Sequence, residues 1–511
     1  MAYIKTHKGQ NWLFPPNVLD MIEKDHIAFL VEEFVGNLDF SEFDTKYDGP
    51  GHPAYHPSIP LKILVQGMLD KVRSSRKLAR ASKENVVYMY LAERSNPDFR
   101  TISDFRKANP ELVETTFKET VRLAQSLNLV SVEMICTDGS KIKAHASRKL
   151  AIKREGFDIL DEWVKNEIEE GIKQDDIEDK LEEALDLKNK PKLARKDMKK
   201  IVREYRERFK DPKKTDMIKK THQAIRAQLD KDEDLKTVSL SDPDCRYMQS
   251  KKGPTELSYN VQTSVDSKHS IIVANTVCQE TNDTRQGRSQ LEQAEQTIGQ
   301  LPEGLKVCMD ADYDDPTILK WLEDRKFDAY IPLVNKGGLK RDGNTEFSKK
   351  FFVYNETSDT FTCPTGKTLP YKSHTVDKRG NIRKNYFSCK ACWSCPSRPQ
   401  CAANREMRII TATPYEGVVR RMKAKMELAE SKQAYSKRKE TSELTYAHIK
   451  YNLGFTEFLT RGLKGVKTEW NLACAASNLR RIWSQIKKKD MNIRQIFQQI
   501  SQSFWQTFCP A

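Results

Sequence analysis

Residues 435–450 read YSKRKETSELTYAHIK, and this stretch decides the fold. Glu443 and Lys450 stand seven positions apart, about two helical turns, so they share one helical face. Such a pair alone usually decorates a solvated helix. Two upstream aspartates change the reading. Asp138 ends the apolar run in EMICTDGSK, residues 133–141, and Asp310 ends the run in LKVCMDADY, residues 305–313. Both runs have strand character, and residues 132–138 are expected to form a strand with Asp138 at its end. Two carboxylates at strand ends and a third on a late helix suit two-metal phosphodiester chemistry. Oxygen ligands of this kind suit Mg²⁺ or Mn²⁺, not soft metals. The competing reading of any single acid is a helix cap or a surface charge.

Around these acids lies an alternation of strands and helices. ELSYNVQTSVD and SIIVANTV, within residues 256–277, read as a hairpin with Tyr259, Val261, Thr263 and Val265 on one face and DSKH as its turn. SQLEQAEQTIGQL reads as a helix and LKVCM as a strand ending at Asp310. Asp315 and Pro316 then suit the cap and first residue of a helix, before the strand FDAYIPLV. This order resembles a ribonuclease-H-like α/β core, a mixed sheet with flanking helices, split between residues 131–150, 236–334 and 431–511.

Residues 1–130 read as an all-α region. Leu61, Ile63, Leu64, Met68 and Leu69 recur at helical spacing, Ser103 suits a cap, and Pro110 interrupts the long helix that follows. Arg76, Lys77, Arg80, Arg100, Arg106 and Lys107 lie at helix ends and turns, where cations suit DNA backbone contact. Ordinary surface charge is the bland alternative. Residues 151–235 are about half charged, with Leu160, Val164, Ile168, Ile172, Ile177, Leu181 and Leu185 spaced as in helical hairpins or a short coiled coil, so they read as a charged helical insertion. Residues 335–430 read as a second, Cys-rich insertion.

The chain has 511 residues and a net charge of +15, so it is long enough for several core-bearing units and suits a polyanionic partner, nucleic acid first. No apolar run approaches the roughly 18 residues of a membrane helix, and the N-terminus has no signal-peptide pattern, so a cytoplasmic protein is expected. Eleven cysteines are present, and six are scattered singly: Cys136, Cys245, Cys278, Cys308, Cys474 and Cys509. That pattern suits reduced thiols. The other five are Cys363, Cys389, Cys392, Cys395 and Cys401, with C-x2-C steps that signal a metal. Tetrahedral zinc needs four thiols: Cys363, Cys389 and Cys392 with Cys395 or Cys401. Unmetallated thiols are the next reading and an iron–sulfur cluster a minor one. Trp393, inside the cluster, suits stacking on DNA or packing inside.

The segments MICTDGSKIKAHAS, YNVQTSVD and MDADY, with the signature Y-x2-R-x4-E-x6-K, together resemble the catalytic core of bacterial insertion-sequence DDE transposases. NWLFPPN, HPSIPLKILVQGM, SSRKLARAS and NPDFRTISDFRK are similar, in order, to that group's helical DNA-binding region, and RGLKGVKTEWNLACAASNLRRI to its closing segment. The resemblance implies Asp138, Asp310 and Glu443 as the metal-binding acidic triad, with two Mg²⁺ or Mn²⁺ ions per site. Lys450 would sit beside the DNA backbone, with Tyr435 and Arg438 before the helix as phosphate contacts. It implies double-stranded DNA as partner (the element's inverted repeats and the target), no membrane, and a dimer or larger synaptic assembly. Two features depart from the pattern. Asp312 stands where Gly is common, which makes it a rival to Asp310, and the Arg438–Glu443 gap is one residue longer than the tightest signature. Glu457 and Glu469 are rival acids for Glu443. The competing functions are a metal-dependent nuclease of the same fold and a catalytically silent DNA-binding derivative.

Overall fold

Five apolar or alternating segments pair with one short edge strand into a six-stranded mixed sheet. A computed structural model of the protein describes residues 17–44, 54–169, 193–249, 253–333, 346–377, 380–402 and 407–499. The strands are β1 (Met134–Lys143), β2 (Arg246–Gln249), β3 (Thr255–Asp266), β4 (Ile272–Cys278), β5 (Lys306–Met309) and β6 (Asp328–Tyr330). β1 is central: it pairs antiparallel with β3 on one side and parallel with β5 on the other. β6 extends the parallel side, while β4 and β2 share the outer edge of β3. β1 is longer than the run 132–138 implies, so Asp138 lies within a strand, not at its end. The parallel ladder nevertheless stops at Thr137↔Met309. Asp138 and Asp310 are the next residues of that register, at the mouth where β1 and β5 part.

Helices supply the apolar cover. The expected interruption near Pro110 separates two helices, Phe99–Ala108 and Pro110–Ser126, but the first is capped by Asp98, not Ser103; Asp98 accepts from the Thr101 N–H at 2.7 Å. The helix Leu463–Lys488 packs on Pro110–Ser126, on Ser58–Leu69 and on β4. Its buried Asn478 accepts from Ile272 N at 2.8 Å and donates to Ile272 O at 2.9 Å, so a side chain completes the sheet edge there. Its N-terminus is tied by Asp242 to Gly462 N at 3.1 Å and by Asp244 to Leu463 N at 2.7 Å, carboxylates placed where the helix dipole favours them. One apolar core runs from the N-terminal helices through the sheet to this helix, so the helical region of residues 1–130 shares its core with the sheet.

The charged segment folds on itself. Helices Arg154–Glu169, Leu193–Phe209 and Pro212–Lys231 enclose a separate core that includes Leu160, Val164, Trp163 and Ile225. Ile172, Ile177, Leu181 and Leu185 lie outside the described residues, as does the Ile168 side chain. Between β6 and residues 429–452 stands a five-stranded antiparallel sheet with a small core of its own. Among the described residues, no helix is long and apolar enough to cross a membrane.

Candidate active site

Residues 429–452 form one helical run in which two π-turns, Lys439–Glu443 and His448–Asn452, interrupt α-helix. The first π-turn has a local cause. Thr441, Ser442 and Thr445 each donate a hydroxyl to the carbonyl four residues back, at 2.9, 3.1 and 2.7 Å, which loosens the regular ladder. A π-turn accommodates one extra residue. It therefore absorbs the longer Arg438–Glu443 gap and leaves both side chains on one face, 3.1 Å apart. Tyr435 and Arg438 lie on this helix, not before it.

Arg438 is the hub of the site. Its Nη1 donates to Asp138 Oδ2 at 3.0 Å; its Nη2 donates to Glu443 Oε1 at 3.1 Å and stands 3.7 Å from Asp310 Oδ2. The side chains of Asp138, Asp310 and Glu443 are 9, 17 and 50% exposed, so the site opens toward Glu443. Burial works against the Arg438 charge, but Asp138, Tyr435, Asp310 and Glu443 outweigh it and hold its pKa above the ordinary value. Arg438 is thus buried among acids and not displayed on a surface. Asp138 also accepts from Ser442 at 3.4 Å, and the Tyr446 hydroxyl donates to its backbone carbonyl at 2.9 Å. Lys450 donates to Ser140 at 2.7 Å; burial lowers its pKa, with Asp138 opposing.

The rival acids separate cleanly. Asp312 is exposed, whereas Asp310 joins the cluster and accepts from Ala311 N at 2.6 Å. Glu469 is fully buried and bonded to Arg73, and Glu457 pairs with Lys143 at 3.6 Å. The donor set of Asp138, Asp310 and Glu443 suits a hard divalent cation. Among the described residues, however, no three His, Cys, Asp or Glu side chains stand arranged to hold a metal ion. Arg438 occupies the point where the three acids converge.

A polar layer on the other face of β1 was not legible from the sequence. Asp283 accepts from Asn260 at 2.6 Å, from Gln262 at 2.8 Å and from Lys141 at 2.9 Å, and Tyr313 donates to Gln262. The one signal was Gly139, a glycine inside a strand, which often marks a close approach. A Cβ there would lie 2.3 Å from Gln262 Nε2 and 2.8 Å from the Asp283 carboxyl carbon. Beside this layer a groove of about 670 Å³ is bordered by Asn282, Thr284, Arg285, Asp314, Lys349 and Arg383.

Two family models match the chain: a "Transposase DDE domain" over residues 362–483 and a "Transposase domain (DUF772)" over residues 16–108. Both matches are to transposase families, and together they support an insertion-sequence DDE transposase. No curated protein and no solved structure matches it. The first match holds Arg438, Glu443 and Lys450, so the helical run at the centre of the site lies inside the region similar to a transposase DDE domain. The same match also covers most of the Cys-rich segment. The second match holds Arg76, Lys77, Arg80, Arg100 and Arg106. Arg76, Lys77, Arg80 and Arg100 are exposed, and the Arg76 guanidinium lies 5.0 Å from the Phe99 ring centroid. Arg106 is corrected: it is 8% exposed, and burial lowers its pKa, with Glu469 opposing, so it is not displayed with the others. Of the five clustered cysteines, Cys363, Cys392, Cys395 and Cys401 line one cavity, whereas the Cys389 side chain lies outside the description. Trp393 does not pack inside; it is 69% exposed.

Proposed function

We propose that this transposase binds the terminal inverted repeats of its element, hydrolyses the phosphodiesters at the element's ends and joins the freed 3′-hydroxyls to target DNA. The convergence of Asp138, Asp310 and Glu443, from three distant parts of the chain, on Arg438 carries this reading. The strand order, with a central β1 antiparallel to β3 and parallel to β5 and β6, supports a ribonuclease-H-like core. The three acids would hold two Mg²⁺ or Mn²⁺ ions, which supply charge stabilisation for the attacking and leaving oxygens. Lys450, held by Ser140, keeps a cation at the mouth of the site, where a phosphate would lie. Gly139 lets the Asp283 layer press against β1 and so fixes the backbone that presents Asp138. The exposed Arg76, Lys77, Arg80 and Arg100 would neutralise phosphates of the repeat DNA. Cutting two ends together calls for a dimer or larger synaptic assembly.

The test is a cleavage and strand-transfer assay on flanking inverted-repeat DNA with Mg²⁺ or Mn²⁺, with Glu443→Gln beside the wild type. Cleavage and joining that both vanish in Glu443→Gln support the reading. Cleavage without joining makes the protein a nuclease of the same fold. Binding without chemistry under either metal makes it a silent DNA-binding derivative.

A further inference from the structure

Among the described residues, the segment between β6 and the helical run of the site has an apolar core of six buried residues: Phe352, Phe361, Leu369, Tyr386, Ile410 and Ala412. A core of that size is too small to hold a five-stranded sheet by apolar burial alone, and small modules of this kind commonly use a staple. Cys363, Cys392 and Cys401 pack against this core. Cys363 follows the strand Thr360–Thr362 and opens a tight turn, CPTGK. In that turn Gly366 N donates to Cys363 O at 2.9 Å and Gly366 has φ +80°, a conformation that favours glycine. Lys367 N then donates to Cys363 Sγ at 3.3 Å. The turn thus fixes the Cys363 sulfur beside a backbone N–H.

The partners come from elsewhere in the segment. Cys392 lies on the short helix Cys389–Trp393, Cys395 just beyond it and Cys401 on Arg398–Ala402. These three thiols and Cys363 line a single cavity of about 30 Å³. Arg398 and Arg408 line it too. Four thiolates around a dication carry a net charge of −2, and two guanidinium groups offset it. The described thiols are not drawn into a closed ligand set in this structure. The backbone has nonetheless brought them to one small cavity.

We propose that Cys363, Cys392, Cys395 and Cys401 bind one structural Zn²⁺ as a tetrathiolate. Binding converts four thiols to thiolates and releases their protons, with no redox change. A site with four protein thiolates leaves no open position for catalysis. Its role is to staple the segment that leads into the helix Glu416–Glu427 and on to Arg438 and Glu443.

The experiment uses the full chain, purified without chelator. Elemental analysis should find one zinc per chain, and a thiol reagent under native conditions should leave these four cysteines unreacted until the zinc is stripped. Cys392→Ser should lose the zinc, whereas Cys474→Ala, in the buried core, should keep it. If Cys392→Ser does not fold, Co²⁺ exchange into the wild type replaces it as the test, with visible bands of a tetrahedral cobalt thiolate expected. No zinc after reconstitution with zinc chloride, together with rapid reaction of all four thiols, would overturn the proposal. So would iron and sulfide in place of zinc. Neither readout depends on DNA cleavage.

Discussion

Two buried arginines in this protein hold carboxylates, and they do so in opposite ways. Arg73 and Glu469 pair at 2.7 Å with side chains 7 and 0% exposed. Glu469 then spends its other oxygen on Leu459 N, Thr460 N and the Thr460 hydroxyl, and Arg73 also donates to the carbonyls of Gly454 and Glu457. The Arg73 guanidinium stacks over Phe455 at 4.1 Å. This pair sits in a closed pocket. Arg438 instead faces three carboxylates whose exposure rises from Asp138 to Glu443, at the start of a π-turn. Arg438 holds three carboxylates at once, and Lys450, whose charge Asp138 favours, stands near them. The first site joins the N-terminal helices to the closing helix; the second opens to solvent on the side of Glu443.

The comparison breaks most directly at the acids. Asp138→Asn should lower cleavage about a thousandfold or more, several kcal/mol of lost charge stabilisation. Its unfolding midpoint should barely move, because Arg438 keeps two carboxylates; a large drop in the midpoint would make Asp138 a structural acid like Glu469. Glu469→Ala should do the reverse. It leaves Arg73 buried without its anion, a loss of about 3–5 kcal/mol. Urea denaturation should show a lowered midpoint, and an unchanged midpoint would sink the structural assignment.

The π-turn can be tested by changing its length. Deleting Glu440 shortens the Arg438–Glu443 spacing to that of an ordinary helical turn, so both residues stay on one face. Cleavage should remain within about tenfold of wild type, since a π-turn differs from an α-turn by one residue. Inserting one alanine after Glu440 should cost about a hundredfold or more, because a single extra helical residue turns the face by about 100°. Equal losses from both changes would mean that the π-turn itself, and not alignment, matters.

Much of this was legible in the sequence. The runs ending at Asp138 and Asp310 are apolar because β1 and β5 are interior strands, and the placement of Glu443 followed from helical spacing. Other features left no trace. Asn260, Gln262 and Ser264 alternate with apolar residues as an exposed strand face would, yet all three are buried. Their polar character serves Asp283, Tyr313 and Thr137, partners far away in sequence. Periodicity reports which residues share a face, not what covers that face. Arg106 misled for the same reason: a cation near a helix end suits a surface, and only tertiary packing put it inside.

Arg438→Met should remove the internal cation from the acids and leave them in mutual repulsion. Mn²⁺ affinity, read by titration calorimetry without DNA, should rise about tenfold, equivalent to about 1.4 kcal/mol. The metal-free variant should melt earlier than the wild type, and added Mn²⁺ should raise its melting temperature more. Unchanged or weaker Mn²⁺ binding would mean that Arg438 positions the carboxylates for the ion instead of competing with it. In either case Glu469, whose cation is sealed in, should bind no ion after Arg73→Met.

The smallest expected effect concerns His448, in the second π-turn on the same helical run. Burial, and then Arg481 and Arg480, lower its pKa to about 4. The folded protein therefore resists protonating this ring, while the unfolded chain takes up the proton near the ordinary value. The neutral ring's contribution to stability is complete above about pH 6.5 and is lost as pH falls from there through about 4. His448→Gln should flatten that part of the stability–pH curve and leave the curve above pH 7 unchanged. The comparison follows from the surroundings: His448 lies near arginines with no carboxylate among the causes of its shift, whereas Arg438 has three acids within reach. One helical run thus carries an excluded positive charge at one π-turn and a demanded one at the other. If His448→Gln leaves the acid limb of the curve unchanged, its lowered pKa contributes nothing to folding, and the second π-turn loses its part in that contrast.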